Sequence, residues 1–533
     1  MKKKSASPKK KRLQIGELHL HRDGYGFVIA ATKNERDVFI PAPYIGDAMH
    51  SDIVEAEVID RAAKSEGRIL RIVERRLETL FCRIEQAGKG YKAIAEDSRI
   101  RRQILIPPEH VNGAQHGQNA IIRILRYPRG AEPMMGKVEA LAGKRGDVQT
   151  ELKTVMVRHQ LPLAFPHPVL DAAKRINMSE DDLTSREDLR HIPFVTIDGE
   201  TAQDFDDAVA AERLSPKLIR LWVSIADVSH FVMPGTPLDV EALKRGTSVY
   251  FPGKCLSMLP EKLSNDLCSL RPHEDRLTMT AMLDIDHHGL IQHKKFFVSV
   301  IKSRRRMTYT EMKQCIDGDI SPDVRRDASL MDSFDAMMHC FQWLRAMRKQ
   351  RGSIDFDLPE PQILIDLQGG IEAIVKAERH EAHMLIEEFM IAANEAVAEH
   401  LTEQKMGCIY RIHDAPEKEK LHDFFMLLHN LGHRVQPGKK IVPKKLAEIV
   451  TSMRGLPEER LVNHQLLRSM AKAVYHPDNI GHFGLASTCY CHFTSPIRRY
   501  PDLVIHRLLK QTLKSGKKRK PVSLQEISDQ CTR

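Results

Sequence analysis

The sequence contains no CxxC pair, no apolar run long enough to span a bilayer, and no apolar segment after its basic N-terminus, MKKKSASPKKKR. Its nine cysteines are scattered, and only Cys489 and Cys491 lie close together. We therefore expect reduced thiols and no zinc site. The lack of long apolar segments argues against a secretory signal and a membrane span, so we expect a cytoplasmic protein that does not associate with membranes.

The overall composition is typical of a globular protein. Of the 533 residues, 42% are apolar and 29% are charged, and the formal net charge is +10. This length predicts about three or four domains, and the positive charge is a weak indication of a nucleic-acid partner. Lysine and arginine fill seven of the first twelve positions, so we predict a basic disordered tail over residues 1–12.

Two segments of the first quarter resemble each other. FIPAPYIGDAMHSD from Phe39 and LIPPEHVNGAQHGQ from Leu105 share Ile-Pro, an apolar residue four places later, and Ala-x-His. Each segment precedes a strand-like run, and both neighbourhoods contain short β-type runs broken by Gly, Pro and Asp. We predict two copies of a small β-barrel module, one over residues 13–75 and one over 76–150.

The first copy carries an aromatic pattern. Strand alternation in HRDGYGFVIA and DVFIP places Tyr25, Phe27 and Phe39 on one face. Such a face could stack on unpaired bases, or the rings could simply belong to the core. GYGFV and DVFIP resemble the two RNA-binding motifs of cold-shock domains, and this resemblance favours RNA binding. The second copy lacks the aromatic pair.

Four aspartates are concentrated in IDGETAQDFDDAV from Ile197: Asp198, Asp204, Asp206 and Asp207. We place them in a loop between a strand ending at Asp198 and a second strand, LIRLWVSIADVSHFV. A solvated loop, a calcium loop of the EF-hand type and a helix N-terminus are the alternatives. Interleaved apolar residues favour a buried loop, and crowded buried carboxylates favour a bound Mg²⁺ or Mn²⁺.

Asp-x5-Asp-x-Asp-Asp, together with REDLR from Arg186, resembles the catalytic signature of the ribonuclease II / ribonuclease R (RNB) exoribonucleases. The resemblance covers nearly the whole chain, and the two leading modules favour the ribonuclease R branch. It implies a multidomain α+β protein with two N-terminal OB-fold (cold-shock) barrels and a large mixed α/β RNB catalytic domain. The expected segments are a connector at 151–186, the catalytic domain at 187–515 and a truncated end at 516–533 without an S1 domain.

The same resemblance assigns residues along an RNA path. Tyr250 in VYFPG and Phe356 in RGSIDF match a clamp for the 3′-terminal base, and Tyr309 in MTYTEM matches another tyrosine of the path. Glu388 in HMLIEEFMIAANEAV matches a glutamate that senses ribose. This segment is apolar around most of a helix, so Glu387 and Glu388 need partners. For Glu387, a structural salt bridge is an equally good interpretation.

Arg498 and Arg499 in TSPIRRYPD are the predicted phosphate ligands. Thr494 or Ser495 could cap a helix there, which would place both arginines in its first turn, where the dipole favours a bound anion. Pro501 leaves the start of this helix open. A solvated arginine pair, or contact with the aspartate cluster, are the alternatives.

The resemblance implies a processive 3′→5′ exoribonuclease that releases nucleoside 5′-monophosphates. The four aspartates would hold one or two Mg²⁺, with Asp206 the most critical for chemistry and Asp207 beside it. We expect a monomer that acts on single-stranded RNA and on structured RNA with a 3′ overhang. The alternatives are a non-catalytic RNA-binding regulator that retains the fold, a metal-dependent DNA exonuclease and a structural calcium site.

Overall fold

The computed structural model describes residues 12–30, 36–61, 64–88, 90–130, 132–141, 148–159, 161–356, 361–365, 370–376, 378–433, 435, 441–513 and 523–532. The chain divides into two compact units, Met1–Leu163 with Leu364–Ala373, and Ala164–Ile363 with Ile374–Arg533. The predicted tail lies outside the described residues apart from Arg12. Among the helices of these ranges, none has the length and apolar character needed to cross a bilayer.

The first unit contains two closed five-stranded barrels, which confirms the prediction of two barrel modules. The strands of the first barrel are β1 (Arg12–Leu20), β2 (Gly26–Ala30), β3 (Val38–Ile40), β4 (Ile53–Arg61) and β5 (Lys64–Glu74). Those of the second are β6 (Thr79–Ala87), β7 (Gly90–Ala95), β8 (Ile104–Ile106), β9 (Asn119–Arg126) and β10 (Met134–Leu141). A helix, α1 (Val148–Arg158), follows the second barrel.

The sequence repeat corresponds to one shared structural element. In each barrel the third strand leads through the Ile-Pro step into a single 3₁₀ turn, Ala42–Tyr44 or Pro108–His110. The apolar residues of alternating positions fill the barrel interiors, for example Val28 and Ile40 in the first barrel and Ile104 in the second. The repeat therefore fixes the same strand-to-turn geometry twice.

The second unit is built around a seven-stranded sheet of order β11-β18-β17-β14-β13-β12-β19. Its strands in chain order, with those of two two-stranded sheets, are β11 (Glu187–Asp188), β12 (Val195–Asp198), β13 (Asp207–Ser215), β14 (Leu218–Ala226), β15 (Val249–Phe251), β16 (Lys254–Leu256), β17 (Asp275–Asp286), β18 (Ile291–Lys302), β19 (Arg305–Thr308), β22 (Tyr410–Ile412) and β23 (Val474–His476). A third two-stranded sheet, β20 (Pro361–Ile365) with β21 (Ile371–Lys376), has residues in both units.

Helices surround this sheet and carry most of the remaining chain. They are α2 (His167–Arg175), α3 (Glu180–Thr184), α4 (Val228–Phe231), α5 (Pro237–Arg245), α6 (Tyr309–Ile316), α7 (Pro322–Arg326), α8 (Ala328–Arg351), α9 (Glu381–Glu403), α10 (Lys418–Asn430), α11 (Pro443–Ser452), α12 (Glu459–Ser469), α13 (Tyr500–Leu513) and α14 (Leu524–Thr532). Helix α9 buries residues around most of its circumference, as its apolar sequence predicts. Its position fixes Glu388 inside the protein.

Two local predictions were wrong, and the structure also fixes the helix start that the sequence left open. The predicted acidic loop is shorter than expected because Asp207 begins a strand, β13, which pairs with β14 despite its alanine-rich sequence. The second predicted strand ends at Ala226, and Asp227 leads into the short helix α4. Arg498 and Arg499 lie in a turn, because the helix that follows begins only at Tyr500. In each case tertiary pairing overrides a local pattern.

Candidate active site

Two neighbouring strands bring the four aspartates together. Asp198 ends β12 and Asp207 begins β13, and these strands are antiparallel with Val195 opposite Val209. Asp204 and Asp206 lie in the segment that joins these strands, close enough that their charges, with that of Asp207, act on Asp198. The hairpin geometry therefore converts a cluster in sequence into a cluster of carboxylates at one end of the sheet.

The carboxylates lie in a poorly solvated environment. Asp206 is only 4% exposed, and its Oδ1 accepts a hydrogen bond from the Ile497 N–H at 2.8 Å. Burial raises the pKa of Asp206 well above its ordinary value. Burial and the charges of Asp207, Asp206 and Asp204 raise the pKa of Asp198 to about 8, and burial raises the pKa of Asp207 to about 6. A cation bound here would relieve this repulsion.

The donor set fits a hard divalent cation. Within the described ranges, Asp198 Oδ2 and Asp206 Oδ2 are buried and have no hydrogen-bond partner. In the same ranges no group of three or more His, Cys, Asp or Glu side chains could hold a metal ion as it stands, so the four aspartates would have to move closer together to share one ion. One carboxylate is turned toward a protein donor instead, because the Tyr250 hydroxyl donates to Asp204 Oδ2 at 2.8 Å. Carboxylate oxygens whose lone pairs are not used in hydrogen bonds are the ligands that Mg²⁺ and Mn²⁺ prefer.

The two arginines of TSPIRRYPD occupy different environments. Arg498 is 44% exposed, and its Nε lies 3.4 Å from Asp206 Oδ2. Arg499 instead makes two hydrogen bonds, of 2.7 and 3.0 Å, to the fully buried Asp502. Only Arg498 therefore combines contact with the aspartate cluster and access to solvent.

A short hairpin places Tyr250 beside this arginine turn. The Ser248 N–H donates to the Arg498 carbonyl oxygen at 2.9 Å, and Tyr250 follows on β15 with its side chain 54% exposed. The exposed Tyr250 ring therefore lies at the edge of the aspartate cluster, where its hydroxyl donates to Asp204.

The other predicted RNA-path residues lie in two places. Tyr309 begins α6 and stacks on His383 with ring centroids 4.0 Å apart. Burial, and then the charges of Asp207 and Asp198, raise the pKa of the Tyr309 hydroxyl, so this ring belongs to the aspartate cluster. Phe356 instead packs against the hydrophobic cluster formed by α10, α11 and α12.

Glu387 and Glu388 differ in their burial and in their ion pairs. Glu387 pairs with Arg348 at 3.3 Å and with Arg379 at 2.8 Å, which confirms the salt-bridge interpretation. Glu388 is 5% exposed, and its Oε1 lies 3.5 Å from Arg348 Nη1. Burial raises the pKa of Glu388 to about 7 despite this arginine.

Replacing Glu388 with glutamine should stabilise the protein at alkaline pH. The folded-state pKa of about 7 exceeds the ordinary value of 4.5, so the stability that Glu388 contributes is complete below 4.5 and is lost as pH rises through 7. The difference in unfolding free energy between Glu388→Gln and the parent should therefore grow from pH 4.5 to 7 and then level off. Urea unfolding at several pH values measures this difference, and a pH-independent difference would contradict it.

The aromatic face of the first barrel is present. Phe27 and Phe39 are opposite each other on β2 and β3, and their ring centroids are 5.5 Å apart. Tyr25 lies 6.0 and 5.6 Å from these two rings and stacks on His21 at 4.5 Å. Since the alternate residues fill the barrel and Phe27 is 39% exposed, the interpretation of these rings as core residues was wrong.

Sequence reasoning missed the buried charges that support the site. Asp227 is fully buried and pairs with Arg186 at 2.7 Å and with Lys510 at 2.6 Å. It directly follows Ala226, whose N–H donates to the Asp206 carbonyl oxygen at 2.8 Å. Arg186 is the first residue of the REDLR motif. Its charge was the one signal in the sequence that pointed to a buried acidic partner such as Asp227.

Comparisons with known proteins match all three parts of the chain. Residues 186–515 match the RNB domain family, residues 16–72 the ribonuclease B OB domain and residues 93–166 the cold shock domain. Ribonuclease R of Aquifex aeolicus is 37% identical over 94% of this chain, and that of Escherichia coli is 38% identical over 95%. The chain spans 71% and 63% of the lengths of these two relatives.

A solved structure is similar to this chain over nearly all of its length. Mycoplasma genitalium RNase R, determined in complex with ribose-methylated single-stranded RNA, has a TM-score of 0.87 and 26% identity to this chain. The match covers 97% of this chain and 83% of the other.

Proposed function

Because this chain belongs to the RNB-domain family that includes ribonuclease R, we propose that it is a processive 3′→5′ exoribonuclease releasing nucleoside 5′-monophosphates. One observation carries the proposal: four clustered carboxylates, two of which have a buried oxygen that accepts no hydrogen bond within the described ranges, lie beside a solvent-accessible arginine. A protein that only binds RNA has no need to place such charges together, because each raises the cost of burying the others.

Members of this family are in general metal-dependent, and we assign Mg²⁺, with Mn²⁺ as a substitute, to this cluster. Asp198, Asp204, Asp206 and Asp207 would hold one or two ions. When bound, the metal supplies Lewis-acid polarisation of the scissile phosphate and neutralises its charge. Asp204 can take part through the carboxylate lone pairs that its hydrogen bond from the Tyr250 hydroxyl does not use.

The positions of Arg498 and Arg499 support their roles, whereas the roles of Tyr250, Phe356, Tyr309 and Glu388 rest on the family motifs that these residues match. Arg498 neutralises the scissile phosphate, since its exposed guanidinium can exchange the weak contact with Asp206 for phosphate oxygens. Arg499 holds the turn through Asp502. Tyr250 and Phe356 bracket the 3′-terminal base, Tyr309 lines the path and Glu388 contacts the terminal ribose.

Single-stranded RNA is the proposed substrate, and structured RNA with a 3′ overhang is the second substrate class. The aromatic face of the first barrel binds unpaired bases upstream of the site. We further propose that the protein acts as a monomer in the cytoplasm.

The test uses two RNA molecules of one sequence, labelled at the 5′ or the 3′ end, with Mg²⁺. A 3′→5′ exonuclease releases the 3′ label at once as a mononucleotide and shortens the 5′-labelled strand to a small end product without intermediates. EDTA should abolish both reactions, and DNA of the same sequence should resist, because the 2′-OH distinguishes the substrates. RNA binding without cleavage would instead support a non-catalytic regulator, and equal cleavage of DNA would support a DNA exonuclease.

Removing one ring of the aromatic face should weaken RNA binding. Phe39→Ala should lower the affinity for single-stranded RNA about 5- to 100-fold, the effect of losing one base stack. Leu105→Ala is the matched control, because Leu105 occupies the same repeat position in the second barrel and is 40% exposed. Fluorescence anisotropy with labelled RNA measures both affinities. Equal losses in the two variants, or none in Phe39→Ala, would contradict a stacking role.

A further inference from the structure

A cavity of about 330 Å³ lies between the C-terminal end of α8, the beginning of α9 and helix α11. Of the residues assigned to metal or RNA above, only Glu388 lines it. Six cationic side chains surround the space: Arg345, Arg348, Lys349, Arg379, Lys444 and Arg454. Three anionic ones face them: Asp355, Glu388 and Glu448. The cavity is therefore a cationic site separate from the aspartate cluster.

The excess positive charge is not neutralised by the protein. Arg379 is compensated, because it pairs with Asp355 and Glu387 at 2.8 Å. Lys349, Lys444 and Arg454, by contrast, are exposed and form no ion pair within the described part of the chain. Several like charges around one concave space favour an anion, since each unpaired cation lowers the energy of a negative group there.

One buried donor also lacks a partner. Arg348 is 7% exposed, and among the described residues its Nε is buried without a hydrogen-bond acceptor. Such an unsatisfied buried donor is rare in folded proteins and is destabilising. The protein covers this Nε, so the exposed cations Lys349, Lys444 and Arg454 are the lining groups that a bound anion would reach.

The uncharged lining is mixed, with Ser353, Thr451 and Ser452 as its hydroxyl groups and one apolar patch. Met384, Ala447 and Val450 contribute to the wall between the cations. A phosphate ion alone would leave most of the space empty, whereas this volume lies in the range of small-molecule sites. A ligand with one flat apolar part and one dianionic part matches both kinds of wall.

We propose that this cavity binds a nucleoside 5′-monophosphate, with its phosphate toward Lys444 and Arg454 and its base against the apolar wall. The inference rests on the proposed exoribonuclease function, which generates this molecule as its product. Glu388 connects the two sites, because its carboxylate lines the cavity and is also the group assigned to the terminal ribose. The cavity then receives the released product, and high product concentrations slow turnover.

Equilibrium dialysis of the full chain against labelled AMP, in EDTA so that the aspartate cluster holds no metal, tests the proposal. The parent protein should bind one equivalent of AMP, and Lys444→Glu and Arg454→Glu should each bind at least about tenfold more weakly, the effect of losing one charge-assisted hydrogen bond. Lys445→Glu is the matched control, because Lys445 is the exposed neighbour on α11 that does not line the cavity. Thermal melting shows that each variant is folded.

Competing probes and RNA hydrolysis separate the possible outcomes. Adenosine and inorganic phosphate should each compete at least about tenfold more weakly than AMP, since each lacks one of the two binding parts. Three outcomes would overturn the cavity proposal and leave the exoribonuclease function intact. They are competition by phosphate as strong as that by AMP, a loss of AMP affinity in Lys445→Glu as large as in the cavity variants, and no AMP binding by a parent protein that degrades RNA. AMP binding that depends on Lys444, in a chain that does not degrade RNA, would support the cavity and reject the proposed function.

Discussion

Replacing Asp206 with asparagine should reduce RNA hydrolysis by at least about 10³-fold, because the site loses the charge that holds metal and balances Arg498. RNA affinity should change little, since the aromatic face and the RNA path are untouched. The fold should also persist. The asparagine Oδ1 can still accept the hydrogen bond of the Ile497 N–H, and the variant no longer carries a buried carboxylate with a raised pKa.

Single-turnover hydrolysis with saturating protein measures this loss, and anisotropy measures the affinity. Glu200→Gln is the control within the same segment, because Glu200 is exposed and its carboxylate accepts a hydrogen bond from the Thr310 hydroxyl at 2.7 Å. It should hydrolyse RNA at nearly the parental rate. If Asp206→Asn retained activity, or if Glu200→Gln lost as much, the aspartate cluster would not be the catalytic centre.

Replacing Arg499 with methionine should lower the free energy of unfolding by about 3–5 kcal/mol, because it leaves the charge of Asp502 buried without a partner. Asp502 is fully buried, accepts two hydrogen bonds from Arg499 and also accepts one from the Ser495 N–H at 2.8 Å. The second variant, Arg499→Met with Asp502→Asn, should recover much of the loss, because it removes the isolated charge and keeps an acceptor for Ser495.

Arg498→Met is the matched control for this prediction. Arg498 is 44% exposed and its contact with Asp206 is long, at 3.4 Å. Its loss should therefore change the free energy of unfolding by less than about 1 kcal/mol. It should lower the hydrolysis rate by about 10²–10³-fold. Urea unfolding and single-turnover hydrolysis of both variants distinguish the two arginines. Equal effects of the two replacements on stability would contradict the division of roles.

Several features of the fold could be predicted because they depend on short sequence patterns. The repeat of Ile-Pro segments predicted two barrels, and the period of two in GYGFV and DVFIP predicted the outward aromatic face. The apolar circumference of HMLIEEFMIAANEAV predicted a buried helix, while the salt bridge of Glu387 was only one of two equally good interpretations. These patterns act between residues that are close in sequence, so no knowledge of the tertiary fold is required.

Other features could not be predicted in the same way. Strand β13 has an alanine-rich sequence of low strand preference and exists because β12 and β14 pair with it. The turn at Arg498 and Arg499 replaces the predicted first helical turn, since Arg499 bonds the buried Asp502 and the Arg498 carbonyl oxygen accepts from Ser248. Asp502 follows Arg499 by three residues, but its burial was not visible in the sequence.

The sequence by itself determined which chemical groups this protein concentrates, because all four aspartates lie within one strand-loop-strand segment whose register brings them together. Only the tertiary structure decided which arginine faces them. The Ile497 N–H that donates to Asp206 is 291 residues away along the chain. Of the two arginines that follow Ile497, Arg498 contacts Asp206 and Arg499 pairs with the buried Asp502. That division depends on burial and on contacts between distant segments, which a local sequence pattern does not specify.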